Sequence, residues 1–185
     1  MLKGYKMENS FFKMLILALF CLNVQAGERE YNIELIIFAQ DQPTTEVFEE
    51  IESKIAWPRK VAKRSAYKKV EKDELSLKKS YLKLARGNDY QPIMHVAWVQ
   101  KVNSDSYSRA VRIRNPERTI NGFFRLQRGH LVHMVADIEY SSDDYENAPI
   151  YRLNEKRRFK LNETHYLDHP KFGILARVSP VETNK

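Results

Sequence analysis

Apolar residues recur along this chain at two spacings, one that suits strands and one that suits helices. In Tyr31 to Ala39, Tyr31, Ile33, Leu35 and Ile37 alternate on one face, while the other face changes from Asn32 and Glu34 to Ile36 and Phe38. A strand whose second face becomes apolar belongs inside a covered sheet. Pro92 to Gln100 is apolar on both faces and predicts a second central strand. Ile120 to Leu126 and Leu131 to Tyr140 flank the glycine-containing connection Gln127-Arg128-Gly129-His130 and predict an antiparallel hairpin. Its second strand places Val132, Met134, Ala136 and Ile138 on one side and His133, Asp137 and Glu139 on the other. Ile150 to Asn154 with Arg157 to Leu161 predicts a strand region interrupted by charge, and Phe172 to Val178 predicts the last strand.

Helical spacing is confined to the first half. Asp41-Gln42-Pro43 ends the first strand, and Thr44 or Thr45 predicts the N-cap of a helix with Glu46, Glu49 and Glu50 in its first turns. Val47, Phe48, Ile51 and Ile55 supply its apolar stripe, and Trp57-Pro58 ends it. Leu77, Tyr81 and Leu84 predict a second helix within Asp73 to Arg86, with Gly87 as C-cap. Between the two, Arg59 to Lys72 is basic and lacks periodic apolar residues. It is expected to be an exposed loop, either a solvated linker or an arm that touches a polyanion with Tyr67 as a stacking surface. Asn103 to Arg118 is polar and irregular and carries a second cationic group, Arg109, Arg112, Arg114 and Arg118; Ser141 to Pro149 is an acidic loop. Early helices and late strands predict a single α+β domain, a mainly antiparallel sheet with two helices packed on one face.

Composition adds a compartment. Lys3, Lys6 and Lys13 precede the apolar run Met14 to Leu22, which is shorter than the roughly 20 residues that cross a bilayer. With Val24-Gln25-Ala26 after it, the segment reads as a secretory signal peptide cleaved after Ala26, leaving residues 27–185 as the domain. Cys21 raises a lipoprotein signal, but Phe20 stands where such signals carry a small residue, so an exported chain with no stable membrane anchor is expected. The only cysteine leaves with the leader, which excludes disulfides and thiol chemistry and suits a bacterial periplasm. The formal net charge of +7 is compatible with an acidic polymer, though charges of both signs are interspersed. The compartment disfavours nucleic acid.

The densest chemistry lies at His165-Tyr166-Leu167-Asp168-His169-Pro170, followed by Phe172-Gly173. On a helix, His165 and His169 with Asp168 could grip zinc, but Pro170 argues against a helix and the glutamate of an H-E-x-x-H motif is absent. No glycine-flanked serine elbow is present, and Asp143-Asp144 lies in a loop, so nucleophilic and two-carboxylate glycosidase chemistry have little footing. A structural turn accounts for the motif: Asp168 accepts backbone hydrogen bonds, Pro170 fixes φ and Gly173 permits close approach. No metal, cofactor or catalytic residue is expected.

The tyrosine-led first strand, Trp98-Val99-Gln100, the hairpin Gly122 to Ile138 with His133, the Arg157-Arg158 pair and above all the His165 to Gly173 motif resemble the CsiV family of periplasmic proteins. The resemblance covers nearly all of residues 27–185, although the basic connection Arg59 to Lys72 departs from it. It implies a non-enzymatic peptidoglycan-binding adaptor in the Gram-negative envelope, supporting a bifunctional penicillin-binding cell-wall synthase and its lipoprotein activator. An envelope assembly factor or chaperone that binds only proteins is the other reading. Under the first, Arg125, Arg128, Arg157 and Arg158 are expected to meet muramyl-peptide carboxylates, with Trp98 or Tyr166 as stacking surfaces.

Overall fold

The alternation at the start of the domain becomes β1, Arg29–Gln40, a central strand. The structure is a computed structural model that describes residues 28–45, 52–104, 106–142 and 148–182. The leader with Cys21, most of the first expected helix (46–51) and the centre of the acidic loop (143–147) lie outside the described residues.

Two sheets carry the fold. In the first, β1 pairs antiparallel with β4, Tyr90–Val102, on one side and with β11, Phe172–Pro180, on the other. β10, Thr164–His169, adds outside β11, and the two-residue β3, Lys68–Lys69, adds outside β4. The second sheet runs β2, Val61–Lys63; β6, Ala110–Arg114; β7, Ile120–Arg128; β8, Val132–Tyr140; and β9, Tyr151–Arg158. β2 joins it parallel, and β5, Ser106–Tyr107, pairs with the end of β7.

The inner faces of the sheets meet in one core. Tyr31, Ile33, Leu35 and Ile37 of β1 pack with Trp98 of β4, Phe124 and Leu126 of β7, and Met134 and Ile138 of β8. Trp98 and Phe124 meet edge to face at 6.1 Å and 82°. This overturns the expected α+β fold. Among the described residues there is one α-helix, α1, Lys78–Arg86, and the strands divide into two stacked sheets rather than forming one sheet under two helices. The apolar second face of β1 is explained by α1: Ile36 and Phe38 are covered from outside by Leu77, Tyr81 and Leu84.

Three further readings change. Residues 52–57, expected to end the first helix, are non-helical and lie on the outer face of the second sheet, where Ile55 clusters with Ala110, Phe123 and Val135. The basic stretch Arg59 to Lys72, expected as a loop, holds β2 and β3 and buries Ala62 and Val70, so one short segment edges both sheets. The stretch read as irregular, Asn103 to Arg118, contains β6, whose Val111 and Ile113 face the core while Arg112 and Arg114 face out. Among the described residues no helix is long and apolar enough to cross a membrane.

Buried carboxylates at outward strand positions hold both outer coverings. Glu34 of β1 accepts the N–H groups of Ser76 (2.9 Å) and Leu77 (3.0 Å) at the start of α1, and His95 lies 2.7 Å from it. On β8, Glu139 accepts from the N–H of Lys54 (2.7 Å) and Asp137 from that of Ala56 (3.0 Å). Arg152 completes Asp137 with two bonds of 2.8 Å. Each of the three accepts hydrogen bonds, so none is a buried carboxylate without a partner, which would be costly.

Candidate functional site

The outer face of the second sheet is built by strand alternation. The inward residues of β6 to β9 fill the core, which leaves their opposite faces to point away from it. Towards one end this face is covered by residues 52–57. At the end of the cover, Trp57 leans on Phe123 at 5.9 Å, and the Arg112 guanidinium stands 4.9 Å from the Trp57 ring. Further along, β5 brings Tyr107 over the sheet. The Arg125 guanidinium lies 4.0 Å from the centre of its ring, and Lys156 donates to its hydroxyl at 3.0 Å. Arg125 and Lys156 flank Val135 across three adjacent strands, and Arg158 sits opposite His133 in the neighbouring row.

The result is a face with two exposed aromatic rings, Trp57 at 40% and Tyr107 at 42%, each beside cations. The acids that its strands direct outward, Asp137 and Glu139, are buried and already engaged; Glu52 in the cover is exposed, and Arg112, Arg125, Lys156 and Arg158 outnumber it, so the outward charge is positive. Among the described residues the buried Nε of Arg125 meets no acceptor. Such a surface can stack on a flat apolar ring face and hold carboxylates in the same grip.

The expected site residues separate. Arg125 and Arg158 share this face. Arg128 donates to the carbonyl of Val102 at 3.3 Å, tying the end of β4 to β7. Arg157 bridges the seam between the sheets, donating to the carbonyl of Tyr166 and to Glu155, both at 3.1 Å. Trp98 is fully buried, its indole N–H on Gln100, and presents no stacking surface. Trp57, Tyr107 and Lys156 were not singled out from the sequence. Lys156 and Arg158 do alternate along β9, a signal hidden by reading that strand as interrupted.

The His165 to Gly173 motif forms the β10–β11 hairpin, with Pro170-Lys171 as its turn. Along a strand, His165 and His169 are about 13 Å apart, too far to share an ion. The His165 ring bonds the carbonyl of Lys160 at 3.0 Å, and His169 Nδ1 accepts from the N–H of Lys171 at 3.1 Å. Among the described residues no group of three His, Cys, Asp or Glu is placed to hold a metal. On the outer side, Gln40 binds the Tyr166 hydroxyl (2.9 Å), Asp168 (2.9 Å) and the carbonyl of His169 (2.7 Å). The Tyr166 hydroxyl donates to Asp168 at 2.5 Å. Burial, reinforced by that bond to Asp168, pushes the phenol up to about 12. A Cβ on Gly173 would lie 2.5 Å from Phe38 and 2.7 Å from Tyr166, whose rings stack at 6.1 Å and 15°. Tyr166 therefore serves the hairpin and stands apart from the cationic face.

The structure thus presents a cationic, aromatic outer face on a two-sheet scaffold. The chain matches the family described as "Peptidoglycan-binding protein, CsiV" over residues 58–181 and belongs to it. No curated protein matches the sequence. Among solved structures, the chain is similar to the "InvG secretin domain beta-barrel from Salmonella SPI-1 injectisome NC-base" at 12% identity. That alignment covers 98% of this chain and 70% of the other with a TM-score of 0.33, too low to define a shared fold.

Proposed function

We propose that this chain binds peptidoglycan through the outer face of its second sheet, without a catalytic step. Peptidoglycan presents stem-peptide carboxylates beside sugar rings, and Arg125 and Lys156 at Tyr107 match that pairing, with Arg158 next but one to Lys156 along β9 and Trp57 and Arg112 extending the face. The observation that carries the reading is Tyr107 held between Arg125 and Lys156 on a sheet face whose strand acids, Asp137 and Glu139, are already engaged. In this reading the protein is periplasmic and acts as an adaptor, supporting a bifunctional penicillin-binding cell-wall synthase and its lipoprotein activator at the wall.

Co-sedimentation with purified sacculi tests it. The chain should pellet with sacculi, and binding should weaken as salt rises. Replacing Arg125, Lys156 and Arg158 together by glutamine removes three surface charge contacts of up to about 1 kcal/mol each. A combined loss near 2 kcal/mol corresponds to roughly 30-fold weaker binding. The reading fails if the unaltered chain stays in the supernatant, or if the folded triple variant pellets equally well.

A further inference from the structure

β4 has an open side. It pairs with β1 along nearly its whole length, yet on its other side β3 meets only Trp98 and Val99. Among the described residues no strand pairs with Tyr90 to Ala97 on that side. Successive residues of a strand direct their N–H and C=O groups to opposite neighbours, so this stretch presents unpaired backbone groups. Pro92 has no N–H to offer, which makes Ile93 to Ala97 the usable edge. Protein edges are commonly blunted by charged side chains on the edge strand itself. This edge, Ile93-Met94-His95-Val96-Ala97, has no lysine, arginine or acid.

The charges stand across from it instead. After Lys69 the chain leaves β4, and α1 returns beside the edge, leaving a groove of about 520 Å³ that includes His95, Val96 and Ala97 in its wall. Arg64, Lys69, Lys72 and Lys78 line it, and no carboxylate does; Glu71, Asp73 and Glu74 are exposed but do not line it. None of the four cations is engaged in an ion pair among the described residues. Val70, Tyr81 and Leu82 give it apolar footing, with Leu82 at 43% exposure. The wall is braced: His95 is held on Glu34 and stacks on Tyr81 at 5.1 Å and 22°.

We infer that this groove takes an extended acidic segment of a partner protein, added as a strand to β4 where β3 leaves it. Main-chain bonds to Ile93–Ala97 supply affinity, and alternate side chains supply specificity, carboxylates towards the four cations and apolar groups towards Val70 and Leu82. The inference does not rest on wall binding, which uses the opposite sheet.

The test uses the purified chain and a fluorescent octapeptide of alternating glutamate and valine. Two control peptides accompany it, one with lysine for glutamate and one with alternate backbone amides N-methylated. The first should bind, read by anisotropy, and should slow amide hydrogen exchange at residues 93–97. Both controls, and the exposed-residue variant Lys69→Glu, Lys72→Glu, Lys78→Glu, should weaken binding by about tenfold or more. That variant should still pellet with sacculi if the unaltered chain does. The inference is overturned if the glutamate peptide fails to bind at millimolar concentration, if N-methylation makes no difference, or if protection falls away from β4. Purified muropeptides that protect residues 93–97 where the octapeptide does not would also overturn it, by assigning the groove to the wall.

Discussion

Glu34→Ala tests how α1 is held to the sheet. The helix has no side-chain cap of its own at Leu77 and no acid in its first turn. Glu34, 6% exposed on β1, does both tasks from the neighbouring layer, accepting the Ser76 and Leu77 N–H groups and placing negative charge at the helix start. Losing a cap costs about 1 kcal/mol. A hydrogen bond to a charged group is worth about 1.5–3 kcal/mol, part of which water recovers at exposed Ser76. His95 loses its partner as well. The combined cost is about 3 kcal/mol, a large share of the roughly 5–15 kcal/mol available to a domain. With a urea slope of about 2 kcal/mol/M, the unfolding midpoint should fall by about 1.5 M. Circular dichroism during urea titration reads this, and hydrogen exchange should show the amides of α1 opening first. Glu34→Gln, which keeps an acceptor, should cost less, and in a His95→Ala background Glu34→Ala should cost less than it does alone. A Glu34→Ala variant within about 0.5 kcal/mol of the unaltered chain would refute the reasoning.

Gly173→Ala should destabilise by about 1–3 kcal/mol, because the new methyl meets the Phe38 and Tyr166 rings inside contact distance; thermal unfolding checks this. Gly122→Ala should be worse, since φ is 156° and a Cβ would lie 2.3 Å from the Asp137 carbonyl; loss of soluble folded protein is the expected readout. Tyr166 should titrate near 12 rather than at the ordinary 10.0, seen as a late phenolate step in ultraviolet absorbance. The folded chain holds that proton more tightly than the unfolded one, so the associated stabilisation is complete below about pH 10 and is lost as pH rises through about 12. Asp168→Asn should move the step down; phenolate steps all near 10 would contradict the network.

Local patterns in the sequence revealed single elements better than their assembly. β1, β4, the β7–β8 hairpin, β11 and α1 were legible because each repeats one spacing over many residues. β6 was not, since Arg112 and Arg114 alternate with Val111 and Ile113 over only five residues in a polar stretch. The division into two sheets depends on β1 choosing β11 and β4 as neighbours, a pairing between distant residues that no local pattern contains. At residues 52–57 the backbone bonds to Asp137 and Glu139 replace the helical continuation that the spacing up to Ile55 suggested. For the candidate face, Arg125 and Arg158 were legible as arginines. Tyr107 was not, because it reaches the face through a two-residue strand. Trp98 was misplaced because an aromatic on an apolar strand looks the same in sequence whether it faces core or surface.

The carboxylates on β1 and β8 grip the two coverings by main chain, their side-chain partners His95 and Arg152 coming from the sheets themselves. A carboxylate that accepts from an amide does not distinguish which residue owns that amide. Ala56 and Ser76 are exposed and could be exchanged for any residue that retains its N–H, proline alone being barred. The two coverings are thus free to drift in composition while their docking stays put. Loops of new character, including ones that reshape the ground beside Trp57 or the mouth of the groove at β4, can be tried on this scaffold without rebuilding the sheets beneath.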